Sequence, residues 1–332
     1  MTGVQTCALP IFIGGGTPSL MSPDFYHELL DTIKPYLTTD AEITLEANPG
    51  SIDTATQSAH HSKFHAYRQL GINRLSLGIQ SLQDAQLKRL GRIHLQQEAR
   101  DAIYLAQEAG FENMNCDLMF GLPEQTEVDA LSDLQGIINH NPQHISWYQL
   151  TIEPQTHFYR KPPSLPKADD IADMYQQGQQ LLENHGYHQY EVSAYAKPNH
   201  QCQHNRNYWL FGDYLGIGAG AHGKITHTKT GLITRTENHK HPHIYLTSPK
   251  KQAQTIQILK EQLIFEFLMN TLRLREPISF QLFEMRCQLP RALLQQQLEK
   301  STHEGLITQS AESFAVTTKG ALFVDEILLS CL

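Results

Sequence analysis

Polar side chains follow several apolar runs of this sequence, at the points where those runs end. They are Gly14 to Thr17, Glu46, Gln80, Asp117, and Gln149 with Glu153. Two carboxylic acids in one site, Glu46 and Asp117, could serve as the general acid and base of a hydrolase or lyase. Taken singly, either one could instead cap the next helix or pair with an arginine. Their role depends on whether the fold gathers them at one face.

The first of these places is the stretch 12–18, an apolar run that ends in three glycines, a threonine and a proline. Glycines directly after a buried strand let backbone N–H groups approach a ligand that any Cβ would keep away, and Pro18 rigidifies the exit. A plain structural turn is the alternative. No Gly-Lys-Ser/Thr follows, so the stretch is not a phosphate loop. We interpret it as a ligand-holding strand end.

Short strands alternate with helical patterns along the first half of the chain. After the run at 12–13, strands are predicted at 42–47, 74–79, 114–120 and 144–150, and helices at 23–37, 84–90, 96–109 and 126–138. This alternation predicts a parallel sheet built from right-handed β–α units. Because no Rossmann fingerprint is present, we predict a complete or partial (β/α) barrel, in which chemistry occurs at the carboxyl ends of the strands. That fold would bring the polar strand ends together.

The composition predicts a soluble globular protein with 332 residues, 40% of them hydrophobic, and a formal net charge of −8. Nucleic acid is excluded as a main partner, because phosphate binding needs clustered Lys and Arg. No apolar run is long enough to span a bilayer, so the cytoplasm is the predicted location. Scattered cysteines in an odd number favour reduced thiols over disulfides. They are Cys7, Cys116, Cys202, Cys287 and Cys331.

The beginning of the chain does not fit the strand and helix pattern. Residues 1–11 have neither a helical nor a strand period, and they look like a translated sequencing adapter joined to a truncated reading frame. We therefore interpret this segment as non-native and exclude it from fold reasoning. Cys7 would then carry no function.

Five motifs occur in an order that resembles a known superfamily: 14–18 (GGGTP), 46–49 (EANP), 78–81 (GIQS), 90–92 (LGR) and 117–123 (DLMFGLP). They are similar to the signatures of radical S-adenosylmethionine (SAM) proteins of the oxygen-independent coproporphyrinogen III oxidase superfamily. The match continues through 204–209 (HNRNYW) and 216–223 (GIGAGAHG), and so covers the chain from about Phe12 to the C-terminus. Within the superfamily, the chain looks most like the HemW-type heme chaperones.

The resemblance implies roles for single residues. Gly15, Gly16 and Thr17 would hold the methionyl amino end of SAM, Glu46 and Arg92 would contact its amino-acid moiety, and Gln80 and Asp117 would bind the ribose hydroxyls. The chemistry agrees, since a zwitterion needs an acceptor and a cation, and vicinal hydroxyls suit an amide and a carboxylate. The stretch 49–67 looks longer than usual for the family. We interpret it as a surface insertion that leaves the site in place.

The serious departure from the family lies upstream of Phe12. The C-x-x-x-C-x-x-C loop whose thiolates hold a [4Fe–4S] cluster is absent there, and Cys7 alone cannot replace three ligands. We expect this chain not to assemble the cluster. We also expect the barrel to lack its first β/α unit, which would expose a sheet edge.

His204 lies beside Asn, Tyr and Trp in the 204–209 motif. A packed, hydrogen-bonded corner is one interpretation, since Tyr and Trp bury area and use their polar tips locally. An axial heme ligand is the other, since imidazole is a common iron donor. The resemblance favours the ligand, because His-Asn-x-x-Tyr-Trp is associated with heme binding in the chaperone group. Cys202 could be a second ligand, and we interpret it as a bystander thiol.

The second half predicts further elements. A helix at 169–185 and a strand at 190–196 precede the His204 motif, and 224–249 is predicted as loop with a short hairpin. A helical pattern begins at Thr255, followed by helices near 280–285 and 291–298, a two-stranded wing near 307 and 314, and a last helix at 319–329. This resembles the small, mostly helical, winged-helix-like C-terminal domain of the superfamily. The predicted domains are 12–250 and 251–332.

The expected function is that of a carrier, a chaperone that binds heme and SAM and delivers heme to hemoproteins such as respiratory enzymes. The first alternative is a radical SAM oxidase-like enzyme of porphyrin biosynthesis, and the second is a barrel hydrolase or lyase using Glu46 and Asp117. Peripheral membrane association through respiratory partners and a homodimer are both left open, as is whether the chain is an enzyme.

Overall fold

Two compact units make up the chain, Met1–His204 and Asn205–Leu332. The structure is a computed structural model that describes residues 10–52, 62–227 and 229–331. Residues 1–9, with Cys7, lie outside the described residues, and so does the part 53–61 of the stretch interpreted as an insertion. The sequence predicts a domain boundary at residue 250, whereas the division into units falls between residues 204 and 205. The boundary at residue 250 stays a prediction.

A seven-stranded sheet organises the first unit. Its strands are β1 (Ile11–Ile13), β2 (Ile43–Ala47), β3 (Arg74–Gln80), β4 (Met114–Phe120), β5 (His144–Gln149), β6 (His188–Glu191) and β7 (Ala194–Ala196). They lie in the order β1-β2-β3-β4-β5-β7-β6. Strands β1 to β5 are parallel to their neighbours, and β7 and β6 continue the sheet in antiparallel pairing. The predicted parallel sheet of β–α units is confirmed.

Helices follow the parallel strands, and their starts can be explained from the sequence. They are α1 (Pro23–Ile33), α2 (Lys63–Gln69), α3 (Asp84–Arg89), α4 (Gln96–Glu108), α5 (Glu127–Asn139), α6 (His157–Arg160) and α7 (Ala168–Asn184). Helix α1 begins as predicted, with the Ser22 hydroxyl accepting the Phe25 N–H at 3.4 Å and proline in the first turn. Helix α5 begins with a capping box formed by Thr126 and Asp129.

The two faces of the parallel strands differ, because apolar and polar residues alternate along them. The apolar face contributes buried side chains to the main hydrophobic core: Leu45, Leu75, Leu77, Cys116, Leu118, Ile145 and Trp147. The intervening residues point the other way and form what we call the polar face: Thr44, Glu46, Arg74, Ser76, Asn115, Asp117, His144, Ser146 and Tyr148. A parallel sheet covered on both faces usually carries continuous apolar runs. The polar face therefore marks the side on which a ligand can lie.

The strand predicted at 190–196 is wrong, because the structure has two antiparallel strands there, β6 and β7. The chain reverses at Val192 and Ser193. The Val192 carbonyl accepts a hydrogen bond from Gln189 Nε2 at 2.9 Å, and the Ser193 N–H donates to Glu191 Oε1 at 3.1 Å. These side-chain bonds stabilise a tight turn that strand alternation alone does not reveal.

Helix α8 (Gln203–Trp209) spans the division between the units, and the second unit then forms a three-stranded antiparallel sheet in the order β10-β9-β8. It consists of β8 (His222–Thr226), β9 (Ile233–Asn238) and β10 (Gln252–Ile258), with α9 (Pro242–Thr247) before β10. The short hairpin predicted within 224–249 is present as β8 and β9, and α9 is a helix that the sequence did not predict. The helix predicted from Thr255 is wrong. Residues 252–258 pair along β9, so extended pairing prevails and α10 begins at Leu263.

The C-terminal part of the second unit is mostly helical, as predicted. Its helices are α10 (Leu263–Thr271), α11 (Phe280–Cys287), α12 (Arg291–His303) and α13 (Val324–Leu329), and its strands are β11 (Ile278–Ser279), β12 (Ile307–Gln309) and β13 (Ser313–Val316). Strand β13 pairs with both β11 and β12, which forms the predicted wing. The last helix begins at Val324 rather than Lys319, because residues 320–322 form a 3-10 turn.

Gly178 on α7 tests how closely this helix packs on the sheet. A Cβ at Gly178 would lie 1.8 Å from Cη2 of the buried Trp147 ring. We expect Gly178→Ala to lower the free energy of unfolding by about 1–3 kcal/mol in urea denaturation, because overpacking against a rigid ring outweighs the roughly 1 kcal/mol that alanine gains in a helix.

Gly136 on α5 provides the matched control for this substitution. A Cβ there would come within 3 Å of only one atom, Cδ1 of Leu82 at 2.6 Å, and that methyl group can rotate away. Gly136→Ala is therefore expected to change stability by less than about 1 kcal/mol. A Gly178→Ala variant as stable as its parent would contradict the close packing of α7.

Candidate functional site

Glycines shape the turn after β1. Gly15 and Gly16 have φ of 85° and 63°, a region that glycine adopts without strain, and no described atom lies within 4 Å of the position a Cβ would take. A Cβ at Gly14 would instead lie 2.7 Å from the Phe12 ring and 3.0 Å from Glu46 Oε2. Gly14 thus permits close approach to Glu46, while the next two glycines leave an open cradle.

Glu46 on β2 ties this cradle to the polar face. Its Oε2 accepts the Gly15 N–H at 3.0 Å. Burial raises the pKa of the Glu46 carboxyl, the bond from Gly15 opposes that rise, and the charge of Asp117 adds to it. Two carboxylates this close repel each other, so a ligand that brings an ammonium group or hydroxyl donors would stabilise both.

Gln80 ends β3 in a strained backbone conformation, with φ of 70°, and its side chain is buried. The Tyr148 hydroxyl donates to Gln80 Oε1 at 2.8 Å. Because the amide oxygen is used by Tyr148, the amide Nε2 is the part of Gln80 oriented to donate to a ligand. Strain of this kind is held in place by its surroundings and is typical of ligand-binding positions.

Asp117 on β4 is held from two directions. Its Oδ1 accepts from Asn115 Nδ2 at 2.8 Å, and its Oδ2 accepts from Ser76 Oγ at 3.4 Å. Burial raises the pKa of Asp117, and the hydrogen bonds from Asn115 and Ser76, the nearby Ser146 hydroxyl and the charge of Arg74 all oppose that rise. The carboxylate is thereby oriented as an acceptor, as binding of sugar hydroxyls requires.

Arg92 lies exposed in the turn after α3 and forms no ion pair with a described residue. Its charge nevertheless reaches the polar face. The pKa of Tyr148 is raised to about 12, first by burial and then by the charge of Asp117, while the charge of Arg92 acts in the opposite direction. Arg92 is thus a cation whose charge acts on this part of the polar face.

Two predicted strand-end residues lie outside this group. Gln149 is exposed at the end of β5. Glu153 is exposed as well, and it makes local turn contacts, accepting from Thr151 Oγ1 at 3.3 Å and, through its carbonyl, from Thr156 Oγ1 at 2.7 Å. The structure brings together the cradle, Glu46, Gln80, Asp117 and the charge of Arg92, and leaves these two apart.

Sequence reasoning missed several polar residues of this face: Ser76, Asn115, His144, Ser146 and Tyr148. None of them is the last residue of its strand, so attention to strand ends does not reach them. The signal that could have found them is the alternation of polar and apolar residues along the strands, visible in 74–80 (RLSLGIQ) and 114–120 (MNCDLMF).

His204 lies in the first turn of α8, with its ring stacked on Phe12 at 4.4 Å between centroids and 21° between planes. Burial, and secondarily the charge of Arg74, lower the pKa of His204 to about 4. At neutral pH the imidazole is therefore uncharged, which is the form that binds a metal ion.

The two aromatic residues of the 204–209 motif make packing contacts within the second unit. Tyr208 stacks on Tyr214 at 4.2 Å, and the Arg273 guanidinium lies 4.4 Å from the centroid of Trp209. These contacts are those of a packed corner, one of the two interpretations that the sequence left open for the motif. They do not exclude the other interpretation for His204.

Cysteine ligands for an iron–sulfur cluster are not found among the described residues. The four described cysteines form no disulfide with one another, and Cys116, Cys202 and Cys287 are buried. The described part of the chain has no group of three or more His, Cys, Asp or Glu residues arranged to hold a metal ion. These residues do not fit a [4Fe–4S] cluster. The cradle with its carboxylate, amide and acceptor oxygens does fit the amino acid and ribose of SAM.

Two known families match parts of this chain. Residues 9–135 match the Radical SAM superfamily, and residues 258–323 match the HemN C-terminal domain. The solved structure of coproporphyrinogen III oxidase HemN from Escherichia coli, a radical SAM enzyme, has a TM-score of 0.78 over 97% of this chain and 77% of that chain. At 20% sequence identity, this likeness concerns the fold alone. Fold and site thus define a radical SAM protein with a HemN-type C-terminal domain, and the predicted fold class is confirmed.

Sequence relatives narrow that class. Heme chaperone HemW of Escherichia coli is 46% identical over 320 residues, which is 96% of this chain and 82% of the relative. The Haemophilus influenzae protein is 47% identical over 96% of this chain and 81% of its own length, and the Bacillus subtilis protein is 33% identical over 96% and 83%. The chain belongs to the HemW heme chaperone family, as the motifs predicted.

His144 on the polar face predicts how stability depends on pH. Burial holds the pKa of this ring well below its usual value of 6.5. The unfolded chain therefore binds a proton near pH 6.5 that the folded chain does not, so stability is retained above pH 6.5 and falls as the pH drops below it. We expect His144 to contribute a loss of about 1.4 kcal/mol per pH unit between pH 6.5 and 5.

The measurement is urea denaturation across that range for the parent and for His144→Gln. The variant should show a shallower decline, whatever its stability at pH 7. His188→Gln removes an exposed histidine and serves as the control, with a decline equal to that of the parent. Parallel declines for the parent and His144→Gln would show that His144 is not held neutral.

Proposed function

We propose that this chain is a cytoplasmic carrier of heme, which binds heme and SAM and delivers heme to hemoproteins such as respiratory enzymes. Its relatives bear the name heme chaperone and match 96% of its length. The structural observation that carries the proposal is the setting of His204, an uncharged imidazole stacked on Phe12. A carrier needs an iron ligand and a place for the macrocycle, and no reaction of the porphyrin is required of it.

His204, rather than Cys202, is the proposed iron ligand. Thiolate, not thiol, binds iron, and the Cys202 thiol is buried with its Sγ directed at Glu42 Oε1, 3.7 Å away. Ionisation beside a carboxylate is unfavourable. A neutral imidazole needs no such ionisation.

The cradle and the polar face are the proposed SAM site. Gly15, Gly16 and Thr17 would hold the methionyl amino end, whose ammonium would lie against the Glu46 carboxylate. Arg92 would bind the ligand carboxylate. Gln80 would donate to the ribose hydroxyls and Asp117 would accept from them. Bound SAM would supply the sulfonium-linked adenosyl group that defines the superfamily.

The oxidase alternative has no observation of its own in this chain. The likeness to HemN, at 20% identity, concerns the fold alone. For partners, peripheral association with membrane-bound respiratory acceptors and a homodimer stay proposals. No described helix is both long and apolar enough to cross a membrane.

Heme titration of the parent and of His204→Ala tests the carrier proposal. We expect a Soret shift that saturates near one heme per chain in the parent. In the variant, affinity should fall about tenfold or more, because the axial ligand is gone. His243→Ala, which removes an exposed histidine of α9, should bind heme as the parent does and controls for surface imidazoles. Equal heme binding by parent and His204→Ala would contradict the assignment.

Equilibrium dialysis with labelled SAM tests the nucleotide site. Glu46→Gln keeps the shape of the side chain and removes its charge, so the ligand ammonium loses a charged partner. A bond of this kind contributes roughly 1.5–3 kcal/mol, so we expect affinity to fall by about tenfold to a hundredfold. Glu153→Gln changes a strand-end glutamate outside the site and should leave affinity unchanged. Equal affinities of the two variants for SAM would contradict the assignment of the SAM site.

A further inference from the structure

A buried series of hydrogen bonds connects Cys202 with Asp117 inside the first unit. The Cys202 backbone N–H lies 3.3 Å from the Tyr190 hydroxyl oxygen, and that oxygen lies 2.9 Å from His144 Nε2. His144 Nδ1 lies 2.7 Å from Asn115 Oδ1, and Asn115 Nδ2 lies 2.8 Å from Asp117 Oδ1. We call these five residues the relay.

All bonds of the relay donate in one direction, and chemistry fixes that direction. A carboxylate only accepts, so Asn115 must turn its NH₂ group to Asp117 and its carbonyl to His144. His144 therefore donates from Nδ1, and the neutral ring can only accept at Nε2. Tyr190 then donates its O–H to His144, and its oxygen accepts the Cys202 N–H. Reversing one link alone would set two donors or two acceptors against each other.

Two serines reinforce this orientation at Asn115. Asn115 Nδ2 also donates to Ser76 Oγ at 2.8 Å, and Ser146 Oγ donates to Asn115 Oδ1 at 3.1 Å. The amide thus uses its donors and its acceptor in the sense that the relay requires. A flipped amide would lose these bonds as well.

Burial makes the relay sensitive to the loss of any member. Cys202 and His144 are each 1% exposed, Asn115 is 3% and Tyr190 is 4%. Water has little access to replace a missing partner, and a buried polar group without one costs more than an exposed group. The relay therefore has two states, made and broken, with little between them, and a ligand that needs the made state shifts the balance toward it.

The two ends of the relay lie at the two proposed ligand sites. Asp117 is the proposed ribose acceptor, and Cys202 lies two residues before His204, the proposed iron ligand. The segment has a second anchor, because the Gln203 N–H donates to Glu42 Oε1 at 3.0 Å. The made relay orients Asp117 as an acceptor and fixes the backbone just before His204. Both ligands would therefore bind the made state better.

We propose that the relay couples the two sites, so that an adenosyl nucleotide and heme favour each other's binding. Tyr190 and His144 act as positioning residues. This coupling rests on the proposed function. Coupling of this kind is reciprocal, so each ligand raises the affinity of the other by the same factor. The nucleotide need only carry a ribose with free hydroxyls, and its sulfonium charge takes no part.

Tyr190→Phe tests the coupling, because it removes one hydroxyl and leaves the ring. Heme affinity is measured by Soret titration with and without saturating S-adenosylhomocysteine, and nucleotide affinity by dialysis with and without heme. In the parent we expect heme affinity to rise about fivefold or more with the nucleotide, and nucleotide affinity to rise by the same factor with heme. For each ligand we take the ratio of its affinity with the other ligand present to its affinity without it. In Tyr190→Phe both ratios should fall to about one.

Tyr187→Phe is the matched control, since the Tyr187 hydroxyl is equally buried and donates to the Pro142 carbonyl at 2.6 Å, outside the relay. It should keep the ratios of the parent. His144→Gln breaks the next link and should abolish coupling as Tyr190→Phe does, which covers the case in which one variant fails to fold.

The outcomes separate the coupling from the function on which it rests. A parent that binds neither heme nor nucleotide overturns the proposed function and the coupling with it. A parent that binds both ligands with ratios of one overturns the coupling alone. The coupling through the relay is also overturned if Tyr190→Phe and His144→Gln keep the ratios of the parent.

Discussion

The hydrogen bonds among the buried side chains at the centre of the polar face govern the structure of the first unit. Asn115 stands at the centre, with its amide shared among His144, Ser146, Ser76 and Asp117. These bonds fix the tautomer of the histidine and the orientation of the carboxylate at once. Because the opposite face of the same strands forms the apolar core, the alternation of polar and apolar residues decides both the packing and the site.

The sequence predicts much of this unit, and the limits of the prediction have physical causes. Glu46 and Gln80 were found because parallel strands present their carboxyl ends at one edge. Asp117 lies in the middle of β4, and the family motif at 117–123 supports it independently of its place in the strand. Asn115 and His144, near the starts of β4 and β5, were not found, since their importance lies in partners on neighbouring strands. The helix predicted from Thr255 fails for a similar reason: pairing with β9 decides the structure of 252–258, and local periodicity cannot show a partner.

Similarity of fold and similarity of sequence support different conclusions about this chain. The likeness to HemN at 20% identity extends over 97% of the chain, yet it concerns only the arrangement of helices and strands. The heme chaperone relatives, at 46% and 47% identity, give the family, and His204 is the iron ligand that we propose for it. Glu46 and Asp117, which could have been the acid and base of a hydrolase, are better explained as ligand-binding groups: one bonds the cradle, and the other is oriented by the polar face.

Delivery of heme is the central claim, and the most direct measurement is the rate at which heme moves from the loaded chain to an apo-hemoprotein, followed by absorbance as the acceptor concentration is varied. A carrier that hands heme over by contact predicts a rate that rises with acceptor concentration, with the porphyrin unchanged in mass. A rate independent of the acceptor would mean that heme simply dissociates, and it would contradict the account.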